Sequence, residues 1–139
     1  MFDRRASYAQ MGAAVVGSLM LLWSTAAGAV HPASVQGTWS AVANRTTGSL
    51  IIVQPASAAA CKLITGTIFG GAIEGAYCPA SGRLVFVRQL VSGVPFQLYE
   101  AHISQDGPVD RLGGSLVIWN STGGAVTSDG PDYNFAAAR

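Results

Sequence analysis

The sequence predicts an all-β protein, an eight-stranded antiparallel up-and-down β-barrel preceded by a signal peptide. Three observations support this. From Val35 onward, short runs rich in Val, Ile, Leu, Tyr and Phe alternate with clusters of Gly, Pro, Ser, Asn and Asp. Every connection between the runs is short. None has the length or the 3.6-residue periodicity of a crossover helix, which parallel neighbouring strands would need.

The start of the chain has the pattern of a cleavable signal peptide. Arg4 and Arg5 supply positive charge, and residues 11–23 are apolar. The small residues Ala27 and Ala29 occupy the positions before the cleavage site that a signal peptidase recognises. A retained membrane anchor is the alternative. The apolar run is short for a membrane span, however, and small residues rather than charges follow it.

We therefore expect residues 1–29 to be the signal peptide and residues 30–139 to be one secreted or periplasmic β-barrel domain, with no membrane contact after cleavage. Removing Asp3, Arg4 and Arg5 from the totals of eight basic and seven acidic residues leaves six of each. A neutral domain without a basic patch argues against nucleic acid and anionic membrane as partners. The low charge also favours a surface covered by a second copy of the chain.

Eight runs have strand character, and their order predicts a closed meander. An open sheet would expose two edges, whereas closure pairs the first run with the last. A two-sheet sandwich is the alternative, but the evenly short loops do not suit its Greek-key crossings. The runs are 35–43, 49–54, 61–69, 72–78, 83–90, 96–104, 113–120 and 132–139.

The first run, "VQGTWSAVA", carries Trp39, and the seventh, "GGSLVIWN", carries Trp119. In a small barrel such aromatic residues either fill the interior or form the walls of an apolar ligand slot. An eight-stranded barrel is only just wide enough for its own side chains, which favours filling. The second and fifth runs, "SLIIVQ" and "RLVFVRQL", are apolar on both faces, so one face can line the barrel and the other can pack against a second copy.

The third and fourth runs form a hairpin with a glycine inside each strand, Gly66 and Gly75. A glycine in a strand interior marks a bend, a bulge or a close approach of another backbone. A four-residue turn over residues 68–71 places Cys61 opposite Cys78. A tight turn at Gly70 and Gly71 would instead put the two cysteines two residues out of register. In an exported chain the expected pairing is a structural Cys61–Cys78 disulfide.

The sequence offers no support for an enzyme, a cofactor or a metal site. His102 and Glu100 lie two residues apart on one strand face, but no third ligand or nucleophile is spaced convincingly beside them. The serines lie in neither a GxSxG nor an SxxK motif. The sequons at Asn44 and Asn120 serve as loop markers.

Four motifs, "GTW", "NRTTGSLIIV", "ITGT" and "IEGAY", occur in this order over most of the domain. They resemble the avidin and streptavidin family, whose chains also form eight antiparallel strands after an export signal. The resemblance implies a site for biotin, or a similar small ring compound, at the barrel mouth. The residues that match the family's site are Trp39, Asn44, Ser49, Trp119 and Asp132.

In the implied site, Asn44, Ser49 and Asp132 hydrogen-bond a polar ureido group and the tryptophans cover the apolar ring. Trp119 can instead lie on the outer face and cover a neighbour's site, as in the family, which would make a homo-oligomer part of the function. Ile68 stands where the family has a tyrosine.

The sequence also resembles two other barrel families, which provide alternatives to the avidin-like interpretation. Secreted bacterial metalloprotease inhibitors are similar barrels that insert a mobile N-terminal segment into the protease, and "VHPAS" before the first strand is the matching stretch. This gives the alternative function of a protease inhibitor or another protein-interaction barrel. Lipocalins share the "GxW" start, with a basic residue from the chain end covering that tryptophan; the resemblance implies that Arg139 takes that role here by a cation–π contact.

Overall fold

The computed structural model describes residues 31–88, 96–106, 108–122, 125–128 and 132–139. The predicted signal peptide, residues 1–29, lies outside these ranges. The described residues form strands and no helix. The strands are β1 (Gly37–Ala43), β2 (Thr46–Val53), β3 (Lys62–Ile68), β4 (Gly71–Cys78), β5 (Arg83–Arg88), β6 (Phe96–Asp106), β7 (Val109–Thr122), β8 (Ala125–Ser128) and β9 (Tyr133–Ala138).

The strands close into the predicted antiparallel barrel. Each strand from β1 to β7 pairs with the next, β7 also pairs with β9, and β9 returns to β1 with Ala41 opposite Ala137. Eight strands therefore form the barrel wall, and the first strand pairs with the last as expected. The short strand β8 was not predicted. Among the described strands it pairs only with the far end of β7, outside the barrel wall.

Side chains fill the middle of the barrel. Alternate residues of each strand point inward because neighbouring side chains of a strand lie on opposite faces. The rings of Phe86 and Tyr99 stack with centroids 4.6 Å apart, and Phe135 meets them edge-on at 6.0 and 5.2 Å. Trp39 and Tyr77 are fully buried nearer one end. The interior is thus a packed core rather than a continuous channel.

The β3–β4 hairpin explains its two strand glycines. A Cβ on Gly66 would collide with the carbonyl oxygen of Ile51 on β2, and a Cβ on Gly75 would collide with that of Val85 on β5. Both glycines therefore allow neighbouring backbones to approach closely, one of the expected uses of such a residue. Gly66 also has a φ of 146°, which side chains rarely permit.

The register of this hairpin is the one that the four-residue turn predicted. Thr67 lies opposite Ala72, and the two turn residues are Phe69 and Gly70. Both have positive φ, 49° and 76°, the pattern of a type I′ turn that matches the twist of a hairpin.

This register brings Cys61 and Cys78 together, and they form the predicted disulfide with Cα atoms 4.1 Å apart. The disulfide fits a location outside the cytoplasm. In the ranges that the structure describes, no helix has the length and apolar character to cross a membrane.

Candidate ligand-binding site at the open end of the barrel

One end of the barrel is closed by the segment that precedes β1, residues 31–36. Val35 of this segment is fully buried, and its carbonyl oxygen accepts a 3.0 Å hydrogen bond from Trp39 Nε1. The hydroxyl of Tyr77 donates a 2.6 Å hydrogen bond to the Pro32 carbonyl. Burial, and then the negative charge of Asp110, raise the pKa of Tyr77 above its usual value.

Two more side chains hold the same segment. Lys62 Nζ donates to the carbonyl oxygen of Ala33 at 3.0 Å. Gln54 accepts from the Val35 backbone N–H at 3.1 Å and donates to Ala33 at 3.3 Å. Residues 31–34 of the stretch that matched a protease inhibitor's mobile arm are therefore folded against the barrel.

Arg139 completes this closed end. Its guanidinium carbon lies 4.4 Å from the ring centroid of Trp39, so the cation–π contact predicted from the sequence is present. The same group pairs with the carboxylate of Asp110 at 2.8 Å and donates to the carbonyl oxygens of Ser34 and Gln36. The closed end is thus fastened by the last residue of the chain.

The opposite end is called the open end here because the described residues leave a cavity of about 330 Å³ there, the open-end cavity. It lies among inward-facing side chains where β1, β5, β6 and β7 approach this end, and beside the β1–β2 and β3–β4 turns. Its apolar walls are Ala43, Phe69, Leu116 and Ile118. Its polar lining residues are Asn44, Thr46, Arg88, Gln97 and Tyr99.

Strand alternation places three of these polar residues inside the barrel. On β5, Leu84 and Phe86 are buried in the core, so Arg88 is the next inward position, at the end of the strand. It lies opposite Gln97, which is two residues before the buried Tyr99 on β6. Sequence reasoning missed this group. The alternation in "RLVFVR" was the available signal, because it puts an arginine on the same face as a leucine and a phenylalanine.

The three side chains form a hydrogen-bonded cluster. Tyr99 donates its hydroxyl proton to Gln97 Oε1 at 2.8 Å, and Arg88 Nη1 donates to the same oxygen at 3.2 Å. Arg88 Nη2 donates to the carbonyl oxygen of Phe69 at 3.4 Å. Arg88 Nε is buried and has no hydrogen-bond partner among the described residues. Burial raises the pKa of Tyr99 to about 12, with the nearby positive charge of Arg88 partly opposing it.

Glycine makes room for the arginine. A Cβ on Gly71 would collide with Arg88 Nε and would lie 3.2 Å from both Cγ and Cζ of that side chain. The guanidinium also lies over the ring of Phe69, 5.9 Å from its centroid. Arg88 is therefore seated in a fitted space rather than extended into solvent.

The structure does not bring the five residues proposed from the avidin resemblance to one cavity. Of these, Asn44 lines the open-end cavity, from the turn that it forms with Arg45. Trp39 lies at the closed end beneath Arg139. The remaining three are Ser49, exposed on the outer face of β2, Trp119, half-buried on the outward-facing side of β7, and Asp132, exposed just before β9.

The His102 and Glu100 pair lies on the outside of the barrel. Both are exposed, and Glu100 forms an ion pair with Arg83. Among the residues that the structure describes, no group of three or more His, Cys, Asp or Glu side chains is arranged to hold a metal ion.

A larger apolar cleft of about 730 Å³ lies on the outer surface of β3, β4 and β5. Its outward-facing residues include Leu63, which is 74% exposed, and Val85 and Val87. Glu74 on β4 is a charged group in this outer cleft. The cleft is open and mainly apolar, and it lacks the converging polar groups of the open-end cavity.

No protein-family model, curated protein or solved structure matches this chain. The avidin resemblance therefore rests on the sequence motifs alone.

Proposed function

We propose that the chain is an exported barrel that binds a small molecule through its open end and performs no catalysis. The observation that supports this most strongly is the contrast between the ends. One is closed by residues 31–36 and Arg139, whereas the other holds a cavity in which Arg88, Gln97 and Tyr99 converge. A concave site that combines apolar walls with converging polar groups is a usual form of a small-ligand site.

Biotin or a similar small ring compound is the first candidate, because the motifs resemble those of the avidin family. The cavity volume is at the lower end of the range for small-molecule sites, which suits a ligand of that size. The contacts to the ligand would differ from the family pattern. Of the five matched residues, the described lining of this cavity includes Asn44 and none of the other four.

The protease-inhibitor alternative is less favoured by the contacts at the closed end. Moving residues 31–36 into a protease cleft would break the hydrogen bonds from Tyr77, Lys62 and Gln54 and would expose Val35. Each lost hydrogen bond costs about 1 kcal/mol or less, and the loss of the Val35 burial adds to this cost.

The proposal also includes self-association through the outer wall. Ile51, Val53 and Leu63 are exposed on the outer faces of β2 and β3, next to the outer cleft. Contiguous exposed apolar surface of this kind is typical of a surface that another molecule covers.

The test is a titration of the purified domain with biotin, followed by backbone amide NMR. We expect the amides of Asn44, Thr46 and Leu116 to shift while those around Trp39 at the closed end do not. Asn44→Ala should weaken the binding, and the matched control Ser49→Ala, on the outer face, should leave it unchanged. Biotin and a panel of small ring compounds that leave the open-end amides unmoved would refute the proposal.

A further inference from the structure

We propose that the open-end cavity selects ligands with a carboxylate group and an apolar body, and that the carboxylate enters first and binds Arg88. This inference rests on the proposed function, because it names the ligand class of the same cavity.

The first support is that Arg88 has no carboxylate partner among the described residues. Arg83 and Arg139 each pair with a carboxylate, from Glu100 and Asp110. Arg88 has only neutral hydrogen-bond partners among the described residues, an amide oxygen and a backbone carbonyl. A partly buried cation without a counter-ion is unfavourable, and an anionic ligand would supply that counter-ion.

The second support is the set of hydrogen-bond donors. Arg88 Nε is buried and has no hydrogen-bond partner among the described residues, and a guanidinium edge has two parallel N–H groups that match the two oxygens of a carboxylate. Gln97 Oε1 accepts from both Tyr99 and Arg88, which orients the amide so that its Nε2 group is a further donor. The described residues that line the cavity include no carboxylate that would repel an anion.

The third support is the composition of the walls. Ala43, Leu116 and Ile118 line the cavity beside the polar cluster, and Phe69 lies over Arg88. Apolar walls favour an apolar ligand body, which gains about 25 cal/mol for each Å² removed from water. A small inorganic anion would leave these walls unused.

The test compares an acid with its neutral counterpart of nearly the same shape, 4-phenylbutyrate and 4-phenylbutyramide, by isothermal titration calorimetry and by NMR of the arginine Nε–Hε groups. We expect the acid to bind about tenfold more tightly or better, the effect of one charge-assisted hydrogen bond. We also expect the Arg88 Nε–Hε signal, assigned by its absence in Arg88→Lys, to shift with the acid.

Variants separate the charge from the cavity. Arg88→Gln should remove the preference for the acid while binding of the amide persists, and Arg83→Gln, on the outer face, should leave the preference unchanged. Thermal unfolding checks that both variants fold, and the comparison of the two probes on the unaltered protein does not depend on either.

Three results would overturn the inference. Equal binding of acid and amide at the open end would reject the carboxylate preference and leave the proposed function standing. If inorganic phosphate shifts the Arg88 signal with the same affinity as 4-phenylbutyrate, the inferred preference for an apolar ligand body is rejected. No shift of open-end amides with either phenyl probe or with biotin would reject both this inference and the proposed function.

Discussion

The guanidinium of Arg139 lies over the indole ring of Trp39, 4.4 Å from the centroid, so the last residue of the chain covers the buried tryptophan of the first strand. The same group pairs with Asp110 and donates to two backbone carbonyls. Arg139→Ala removes all of these contacts. We expect the free energy of unfolding to fall by about 2–3 kcal/mol, measured by urea denaturation.

Arg83 provides the control for that prediction. Its ion pair with Glu100 has side chains 53% and 50% exposed, against 26% and 19% for Arg139 and Asp110. Exposed pairs contribute little, so Arg83→Ala should cost less than about 1 kcal/mol. Equal losses for the two variants would show that the Arg139 contacts are not the main fastening of the closed end.

Two adjacent glycines on β7 give a matched pair of substitutions. A Cβ on Gly114 would collide with the carbonyl oxygen of Glu100, whereas a Cβ on Gly113 meets nothing within 4 Å. Gly114→Ala should destabilise the barrel by about 2 kcal/mol or more, because the β6–β7 ladder has to move apart. Gly113→Ala should be neutral or slightly stabilising, because alanine loses less backbone entropy than glycine. Thermal melts of both variants test the prediction, and a reversed order would contradict it.

The Cys61–Cys78 disulfide closes a loop with a sequence separation of 17 residues. Cross-linking a loop of this length reduces the entropy of the unfolded chain and stabilises the fold by about 3 kcal/mol. The double variant Cys61→Ala, Cys78→Ala should therefore have a free energy of unfolding that is lower by that amount, measured by urea denaturation. A loss below about 1 kcal/mol would mean that the tight Phe69 and Gly70 turn already fixes the hairpin.

The raised pKa of Tyr99 predicts a loss of stability in alkali. Burial raises it to about 12, whereas an unfolded tyrosine ionises near 10. Between pH 10 and pH 12 Tyr99 is ionised in the unfolded chain but still protonated in the folded protein. Its contribution to the free energy of unfolding is therefore fully present below pH 10 and is lost as the pH rises towards 12. The fall is up to about 1.4 kcal/mol per pH unit for one group.

Tyr99→Phe should remove this part of the slope, although it also loses the hydrogen bond to Gln97. Urea unfolding of both proteins at several pH values from 9 to 12 gives the two slopes, with tyrosinate absorbance as a parallel signal. Identical slopes would show that Tyr99 does not ionise on unfolding in this window.

Strand order, barrel closure and the β3–β4 register were predictable because they depend on alternation and loop length. The strand β8 was not, since "AVTS" is short and half polar. The sequence left two turns open for this hairpin, and the structure has the four-residue turn, with Phe69 at one of its two positive-φ positions.

The candidate site was harder to predict because a motif fixes order along the chain and not the end of the barrel that it faces. "GTW" opens β1, and β1 begins at the closed end, so Trp39 meets residues 31–36 rather than a ligand. Arg88 was overlooked because a charged residue at a strand end is usually assigned to solvent. In the structure it lies inside the barrel, hydrogen-bonded to Gln97 and packed beside Gly71.

The closed end also determines how this domain can be attached to other things. His31 lies against Gly82 in the β4–β5 connection, and Arg139 lies against Ser34 and Gln36, so both described ends of the chain leave from the side opposite Arg88. A tether, dye or fusion partner joined directly before His31 or after Arg139 would therefore begin on the side of the barrel away from the cavity. The barrel could be fixed to a sensor surface by its tail with its entrance facing the solution.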